Sequence, residues 1–413
     1  MSARDVIGNL RALAARTSDA QGAQRVAWGP VWRDARRWLD EVLAVDGLRT
    51  ESDVAGNNWI TLPGQRPDTV IIGGHLDSVP NGGWLDGALG VLTGVEALRR
   101  HIGTTPPVTL AVVDFADEEG ARFSRSLLGS SGASGSLVPG TVRSLKDRQG
   151  ILLADALAEN GVDVDRMPEA RRSLDQRSPR AYLEFHIEQG PVLEAMGRSA
   201  GAVIGTYGVE RHVLRFVGQA AHAGSTPIAM RRDAFLAAAE TALACRDIAR
   251  RHSTASAGMV CTVGTVSVEP ALVTAVPGVC EISLDQRALD AATLQSALAD
   301  AREAAARAAA ANGVTVEWRH VWRIDPCRFD ERLVALCAAA IEEVTGDTPR
   351  LPSGPLHDAV EMSRVMPAAM MFAKSANGLS HCKEEDTPEP DLERAIDAFL
   401  RLVDKTVASV ATW

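Results

Sequence analysis

None of the six cysteines (Cys245, Cys261, Cys280, Cys327, Cys337, Cys382) forms a CxxC pair, which excludes a zinc-knuckle spacing and a dense disulfide framework. Dense Lys/Arg runs are missing too. With 43 basic against 53 acidic residues the net charge is −10, the opposite of the clustered positive surface that nucleic-acid binding requires. No apolar stretch approaches the roughly 18 residues of a membrane span. The segment from Met1 to Arg16 carries scattered charges instead of an unbroken apolar stretch, unlike a secretory signal. Internal repeats and long low-complexity tracts are also lacking, and the Ala-rich stretch from Ala304 to Ala311 reads as strong helix formers. These absences predict a cytoplasmic protein with no nucleic-acid and no membrane partner.

What is present is ordinary globular composition, 46% hydrophobic and 23% charged over 413 residues, a length that favours two domains. Apolar runs read as strands at Thr69 to Gly74, Val108 to Phe115, Ala181 to Phe185 and Pro367 to Phe372, with helix-period segments between them. Near-continuous apolar strands alternating with helices imply an α/β layer buried on both faces. The middle of the chain has another rhythm. It reads strand (His212 to Val217), helix (Arg231 to Arg250), strand (Gly258 to Val268), strand (Val279 to Arg287), helix (Ala291 to Asn312), strand (Val314 to Trp322). That βαββαβ order is the split ferredoxin-like unit. The expected division is a discontinuous catalytic domain, 1–208 and 325–413, carrying an inserted lid over 209–324.

Four of the apolar runs end in groups that bind metals. In IIGGHLDSVPNGGWLDGALG, His75 and Asp77 close a strand and Asp86 is expected to open the next helix. Alternate strand residues point to one side, so the Asp77 carboxylate is expected to hydrogen-bond and orient the His75 ring. In VTLAVVDFADEEGARF the strand runs into Asp117, Glu118 and Glu119, three carboxylates that repel unless something positive neutralises them. AYLEFHIEQG ends in His186, Glu188 and Gln189, and ANGLSHCKEED places His381 in a polar loop after PAAMMFAK. Imidazole and carboxylate donors together suit zinc, manganese, cobalt or nickel, and a shared carboxylate can hold two ions about 3.5 to 4 Å apart.

The segments HLDSVPNGGWLDGALG, DEEGARF, EFHIEQGPVLE, GQAAHAGSTP, SGPLHDA and GLSHCKEED, in this order over nearly the whole chain, resemble the amidase, hydantoinase and carbamoylase branch of the di-zinc aminopeptidase superfamily. That branch includes N-carbamoyl-L-amino acid hydrolases, β-ureidopropionases and allantoate amidohydrolases. The resemblance implies a di-metal aminopeptidase-like α/β catalytic domain with a ferredoxin-like lid through which two subunits form a homodimer. It also implies two divalent ions held by His75, Asp86, Glu119, His186 and His381, with Asp86 bridging, Glu118 as general base and Asp77 orienting His75. His222, from GQAAHAG, would polarise the carbonyl of a substrate in the neighbouring subunit. Arg287, in VCEISLDQR, would hold the substrate carboxylate, for which a planar guanidinium is suited. An ion pair with Asp285 is the other reading of Arg287, and both can hold.

Gln189, Thr274 and His357 complete the expected substrate contacts. At two of these places the chain departs from the branch. TAVPG puts Thr274 where many members have asparagine, and SGPLHDA puts Pro355 and Leu356 before His357 where SGAGHDA is more usual. The expected reaction is hydrolysis of a linear amide, the ureido group of a small carboxylate-bearing substrate such as an N-carbamoyl-L-amino acid, allantoate or ureidopropionate. Action on dipeptides or N-acyl amino acids by the same chemistry is the alternative.

Overall fold

A computed structural model describes residues 2–254 and 258–413. The chain divides into two compact units, one of residues 1–204, 329–351 and 355–413 and a smaller one of 205–328 and 352–354.

The larger unit is built on a mixed sheet with four parallel strands at its centre, in the order Thr109–Phe115, Thr69–His75, Pro179–Ile187, Ala368–Ala373. Strands Asn58–Leu62 and Thr50–Ser52 extend it antiparallel on one side, and Ala200–Thr206 on the other. Every residue of Thr69–His75 is buried, which is why this strand reads as a continuous apolar run and not as an alternation. The helix Ala88–Arg99 packs on it and is buried from Ala88 to Leu98. On the C-terminal helix Glu389–Val410, Leu392, Ile396, Phe399 and Val403 recur at three- and four-residue intervals and are buried. Phe399 stacks on Phe185 with centroids 4.8 Å apart. Because the four central strands are parallel, their carboxyl ends lie along one edge, where α/β folds assemble their sites.

In the smaller unit the sheet order is Val260–Thr262, Val279–Ala288, Gly208–Val217, Thr315–Ile324. The single strand expected over 258–268 is instead two, Val260–Thr262 and Val266–Glu269, both paired to Val279–Ala288. Between them Gly264 and Thr265 donate their N–H groups to the Ser283 hydroxyl, so a side chain stands in for the interrupted ladder. Val279–Ala288 alternates strictly, with Cys280, Ile282, Leu284 and Gln286 buried. The first three join the core formed with helices Ala234–His252 and Ala291–Ala311. Both helices start at an aspartate cap: Asp233 accepts from the Phe235 and Leu236 N–H groups, Asp290 from that of Thr293.

Candidate active site

The carboxyl ends of the four parallel strands bring His75, Asp86, Glu118, Glu119, His186 and His381 together. His186 Nε2 lies 3.0 Å and His75 Nε2 3.6 Å from Asp86 Oδ1. His381 Nε2 lies 3.5 Å from Asp86 Oδ2 and 3.4 Å from Glu119 Oε2. The two oxygens of Asp86 therefore face two different ligand sets, His75 with His186 and Glu119 with His381, each compact enough for one ion. Glu118 Oε2 stands 3.8 Å from His75 Nε2.

The donor set fits divalent metals by its tautomers as well as its atoms. His75 Nδ1 lies 3.0 Å from the Asp77 carbonyl and His186 Nδ1 2.8 Å from the Ile187 carbonyl. Each carbonyl holds a proton on Nδ1 and turns Nε2 inward, the nitrogen that ligates when the ring is neutral. Burial pushes the His75 imidazole down to about 4, against the pull of Asp86. At His186 burial also acts downward, but the adjoining Asp86 and Glu184 outweigh it and lift the ring to about 9. Burial foremost, then the neighbouring carboxylates, raises Glu118 and Glu119 well above the usual range. Such crowding of like charges is what a cation relieves.

One role differs from the expectation. The Asp77 carboxylate does not bond the His75 ring, its Oδ1 being 3.8 Å from Nδ1. It accepts instead the Glu118 and Glu119 N–H groups, each at 3.2 Å, while the Asp77 backbone carbonyl takes the imidazole proton. The side chain holds the neighbouring acidic loop and the main chain orients the histidine. Two smaller differences accompany it. Asp86 sits in the turn before helix Ala88–Arg99, which begins after Gly87. Asp117 turns away to accept from Trp28 Nε1 at 2.7 Å, and burial raises its carboxyl to about 7.

Left-handed backbone recurs at the site. Asp117, Gln189 and His381 hold φ of 59°, 57° and 57°, a left-handed conformation that non-glycine residues keep only where the surroundings enforce it. Gly87, at φ 65°, is required sterically as well, since a Cβ would lie 2.3 Å from the His75 ring. Gly87→Ala is expected to displace that ring and lower metal affinity by about 10- to 100-fold, measured by competition with a chromogenic chelator.

Gln189 touches the ligands themselves, its Nε2 lying 2.9 Å from Asp86 Oδ2 and 3.2 Å from His381 Nε2. Its Oε1 is buried without a hydrogen-bond partner among the described residues. His357 is buried against His186, ring centroids 4.4 Å apart, and burial lowers its basicity. The remaining expected residues belong to the smaller unit. His222 is exposed in a two-stranded ribbon opposite Ala275, and its Nδ1 accepts the Gly224 and Ser225 N–H groups at 3.1 and 3.2 Å. Its neutral ring therefore carries the proton on Nε2. The exposed Thr274 adjoins the same ribbon, its carbonyl accepting from the Ala223 N–H at 2.8 Å. Arg287 pairs with Asp285, Nε to Oδ1 at 2.8 Å.

Sequence reasoning passed over two buried supports. Glu385 accepts the Leu85 and Asp86 N–H groups at 3.2 and 3.0 Å on one oxygen and the Ser380 hydroxyl at 2.9 Å on the other, pinning the Asp86 main chain. It follows His381 by four residues in GLSHCKEED, and that proximity was its one signal. Arg25 is fully buried and donates to the Leu76 carbonyl at 2.8 Å. Burial disfavours its charge and lowers its basicity, which Asp86, Glu385, Asp77 and Glu119 offset only in part. Nothing around it in GAQRVAWG announces that role.

The fold is that of a hydrolase family with candidate metal-ligand groups, and residues 71–405 match peptidase family M20/M25/M40, to which the chain belongs. Within it the chain is similar to amidases that act on non-peptide amides. It is 35% identical over 374 residues to the N-carbamoyl-L-amino acid amidohydrolase of Geobacillus stearothermophilus, covering 90% of each chain. To the allantoate amidohydrolase of Bacillus subtilis it is 31% identical over 388 residues, covering 93% of this chain and 92% of that one. The structure superposes on a hydantoinase/carbamoylase family amidase from Burkholderia multivorans with a TM-score of 0.89 and 29% identity, over 100% of this chain and 98% of that one.

Proposed function

We propose that the chain hydrolyses the ureido group of a small carboxylate-bearing compound, an N-carbamoyl-L-amino acid or a relative such as allantoate or ureidopropionate, giving ammonia, carbon dioxide and the free amine. The observation that carries this is the split engagement of Asp86, whose oxygens face His75 and His186 at 3.6 and 3.0 Å on one side and His381 at 3.5 Å on the other. Relatives named for ureido substrates support the substrate class.

His75, His186 and Asp86 would hold one divalent ion and Asp86, Glu119 and His381 a second, drawn from zinc, manganese, cobalt and nickel. Bound there, the two ions supply the positive charge that acidifies a water molecule and polarises a carbonyl. Glu118 takes the proton from the attacking water and passes it to the leaving nitrogen. Asp77 holds Glu118 through its main chain, and Gln189 holds Asp86. His222, with its proton on Nε2, donates to the carbonyl oxygen as charge builds there, a contact worth about 2.7 to 4 kcal/mol in comparable sites. Arg287 grips the substrate carboxylate, and Thr274 and His357 shape its surroundings.

The smaller unit, in this reading, is a ferredoxin-like lid, with 209–324 as the inserted domain. Its sheet order and two helices support that assignment. It also forms the homodimer contact. The apolar side chains of Ile228, Met230, Leu272 and Val273 are exposed near the ribbon that carries His222, as suits a surface covered by a second copy. Six free thiols fit a reducing cytoplasm, and no helix among the described residues is long and apolar enough to cross a membrane.

A dipeptidase or N-acyl amino acid deacylase using the same chemistry is the second reading, favoured by Thr274, whose short hydroxyl stands where the resemblance leads to the expectation of asparagine. The deciding assay measures ammonia and amine release by metal-reconstituted protein. Its substrates are N-carbamoyl-L-amino acids, ureidopropionate, allantoate, dipeptides and N-acyl amino acids. Turnover of ureido compounds is expected; cleavage confined to dipeptides or acyl amides would move the function to the second reading.

A further inference from the structure

Two of the six thiols meet inside the smaller unit, and the hydrolytic chemistry uses neither. Successive side chains of strand Val260–Thr262 point to opposite faces of the sheet. Cys261 is paired with the buried Gln286, which shares its face of strand Val279–Ala288 with Ile282 and Leu284 of the helix-packed core. Cys261 therefore points toward the helices and packs against that core. On helix Ala234–His252 the buried stripe runs through Ala238, Thr241, Cys245 and Ile248. Strand alternation and helix period thus direct two cysteines, sixteen positions apart in the numbering, into one layer. There the Cys261 S–H faces the Cys245 sulfur as a donor.

The surroundings favour chemistry between the two. Cys245 is 1% exposed, but Cys261 is partly exposed on a strand at the edge of the sheet, which gives solvent a way to the pair. Gln286 is buried with neither side-chain polar atom bonded among the described residues, and its amide faces Cys261 and favours a thiolate there. The Cys261 S–H draws Cys245 below the usual thiol range, while the same contact, with burial, holds Cys261 above it. One proton leaves easily and the other stays between the sulfurs. A thiolate beside a thiol is the arrangement from which a disulfide forms.

We propose that Cys245 and Cys261 are a reversible oxidation site, at which a hydroperoxide converts the pair to a disulfide that fastens helix Ala234–His252 to strand Val260–Thr262. The thiolate attacks a peroxide oxygen, so that an S–O bond forms as the O–O bond breaks. The departing oxygen takes up a proton and leaves as water or an alcohol. The second thiol then attacks the sulfenic sulfur; the S–S bond forms, the S–O bond breaks, and hydroxide leaves with the thiol's proton as water. The two sulfurs lose two electrons and the peroxide gains them. A dithiol reverses the step by exchange.

The test treats the metal-reconstituted full chain with hydrogen peroxide. Titration of the denatured protein should show two of its six thiols lost, with a mass decrease of about 2 Da for the two hydrogens removed. Peptide mapping should place the bond between Cys245 and Cys261, and dithiothreitol should restore all six thiols. The bonded protein should melt about 5 °C higher, because the closed loop restricts the unfolded chain. Cys261→Ser should form no intramolecular bond and show no such rise, its reduced melting temperature reporting that it folds; if it does not fold, mapping of the parent decides alone. The site is overturned by a bond mapped to any other pair, such as Cys327 with Cys382, or by thiol loss that dithiothreitol does not reverse. It is overturned equally by six thiols surviving peroxide that oxidises a cysteine-containing control peptide, or by a bonded protein that melts no higher than the reduced one.

Discussion

Glu118→Gln is expected to reduce kcat by about 10²- to 10⁴-fold, the contribution of a positioned general base, while leaving metal content and substrate KM close to those of the parent. The argument is geometric. Glu118 follows strand Thr109–Phe115, is buried, and has its main chain held by the Asp77 carboxylate at 3.2 Å. Its oxygen lies 3.8 Å from the His75 nitrogen that faces Asp86, close enough to the ligands to serve a water held there. Glutamine keeps the size and polarity of the side chain but can neither accept the proton nor return it. Rates from the ureido assay and metal content by atomic emission test this together. A variant that keeps its ions and more than a tenth of the parental kcat would remove Glu118 from the base role.

Chelation is expected to lower the melting temperature by roughly 10 °C. An ion that binds only the folded protein stabilises it by about 4 kcal/mol at a thousand times its dissociation constant, and each kcal/mol moves the transition by about 2 to 4 °C at this size. The size of the effect follows from what is buried. Asp77, Asp86, Glu118 and Glu385 are buried, as is the side chain of Glu119, opposed by Arg25 and by the proton that Asp86 draws onto His186. Divalent ions would replace that proton and relieve the repulsion. Asp86 serves both ligand sets and His381 only one. Asp86→Ala should therefore release both ions, and His381→Ala, half-exposed at the rim, only one. Equal melting temperatures with and without chelator, or one ion retained by Asp86→Ala, would show that the two sets do not share a bridging carboxylate.

The strand ends were legible because the physics that makes them is local. A run such as TVIIGG can be buried only inside a sheet, and a histidine or acidic group directly after it emerges at the sheet's edge. Four such runs in one chain leave few topologies other than parallel neighbours. Much less was legible at Asp77, where the two-residue spacing suggested a carboxylate–imidazole contact. The chain turns after His75, so the carbonyl meets the ring and the carboxylate swings to the N–H groups of residues 118 and 119. A strand-based rule does not survive the end of the strand.

By itself the sequence determined the α/β class, the four strand-end clusters and the donor chemistry, because hydrophobic period and residue type act over a few neighbouring positions. Only the tertiary structure decided which oxygen of Asp86 faces which histidine, and that Arg25 and Glu385, 360 positions apart in the numbering, both support the site. It also decided that Asp285 gathers Arg211 and Arg287 beside exposed valines. Those relations depend on strand order and register, which bring distant residues within hydrogen-bonding reach and leave no mark on the local pattern.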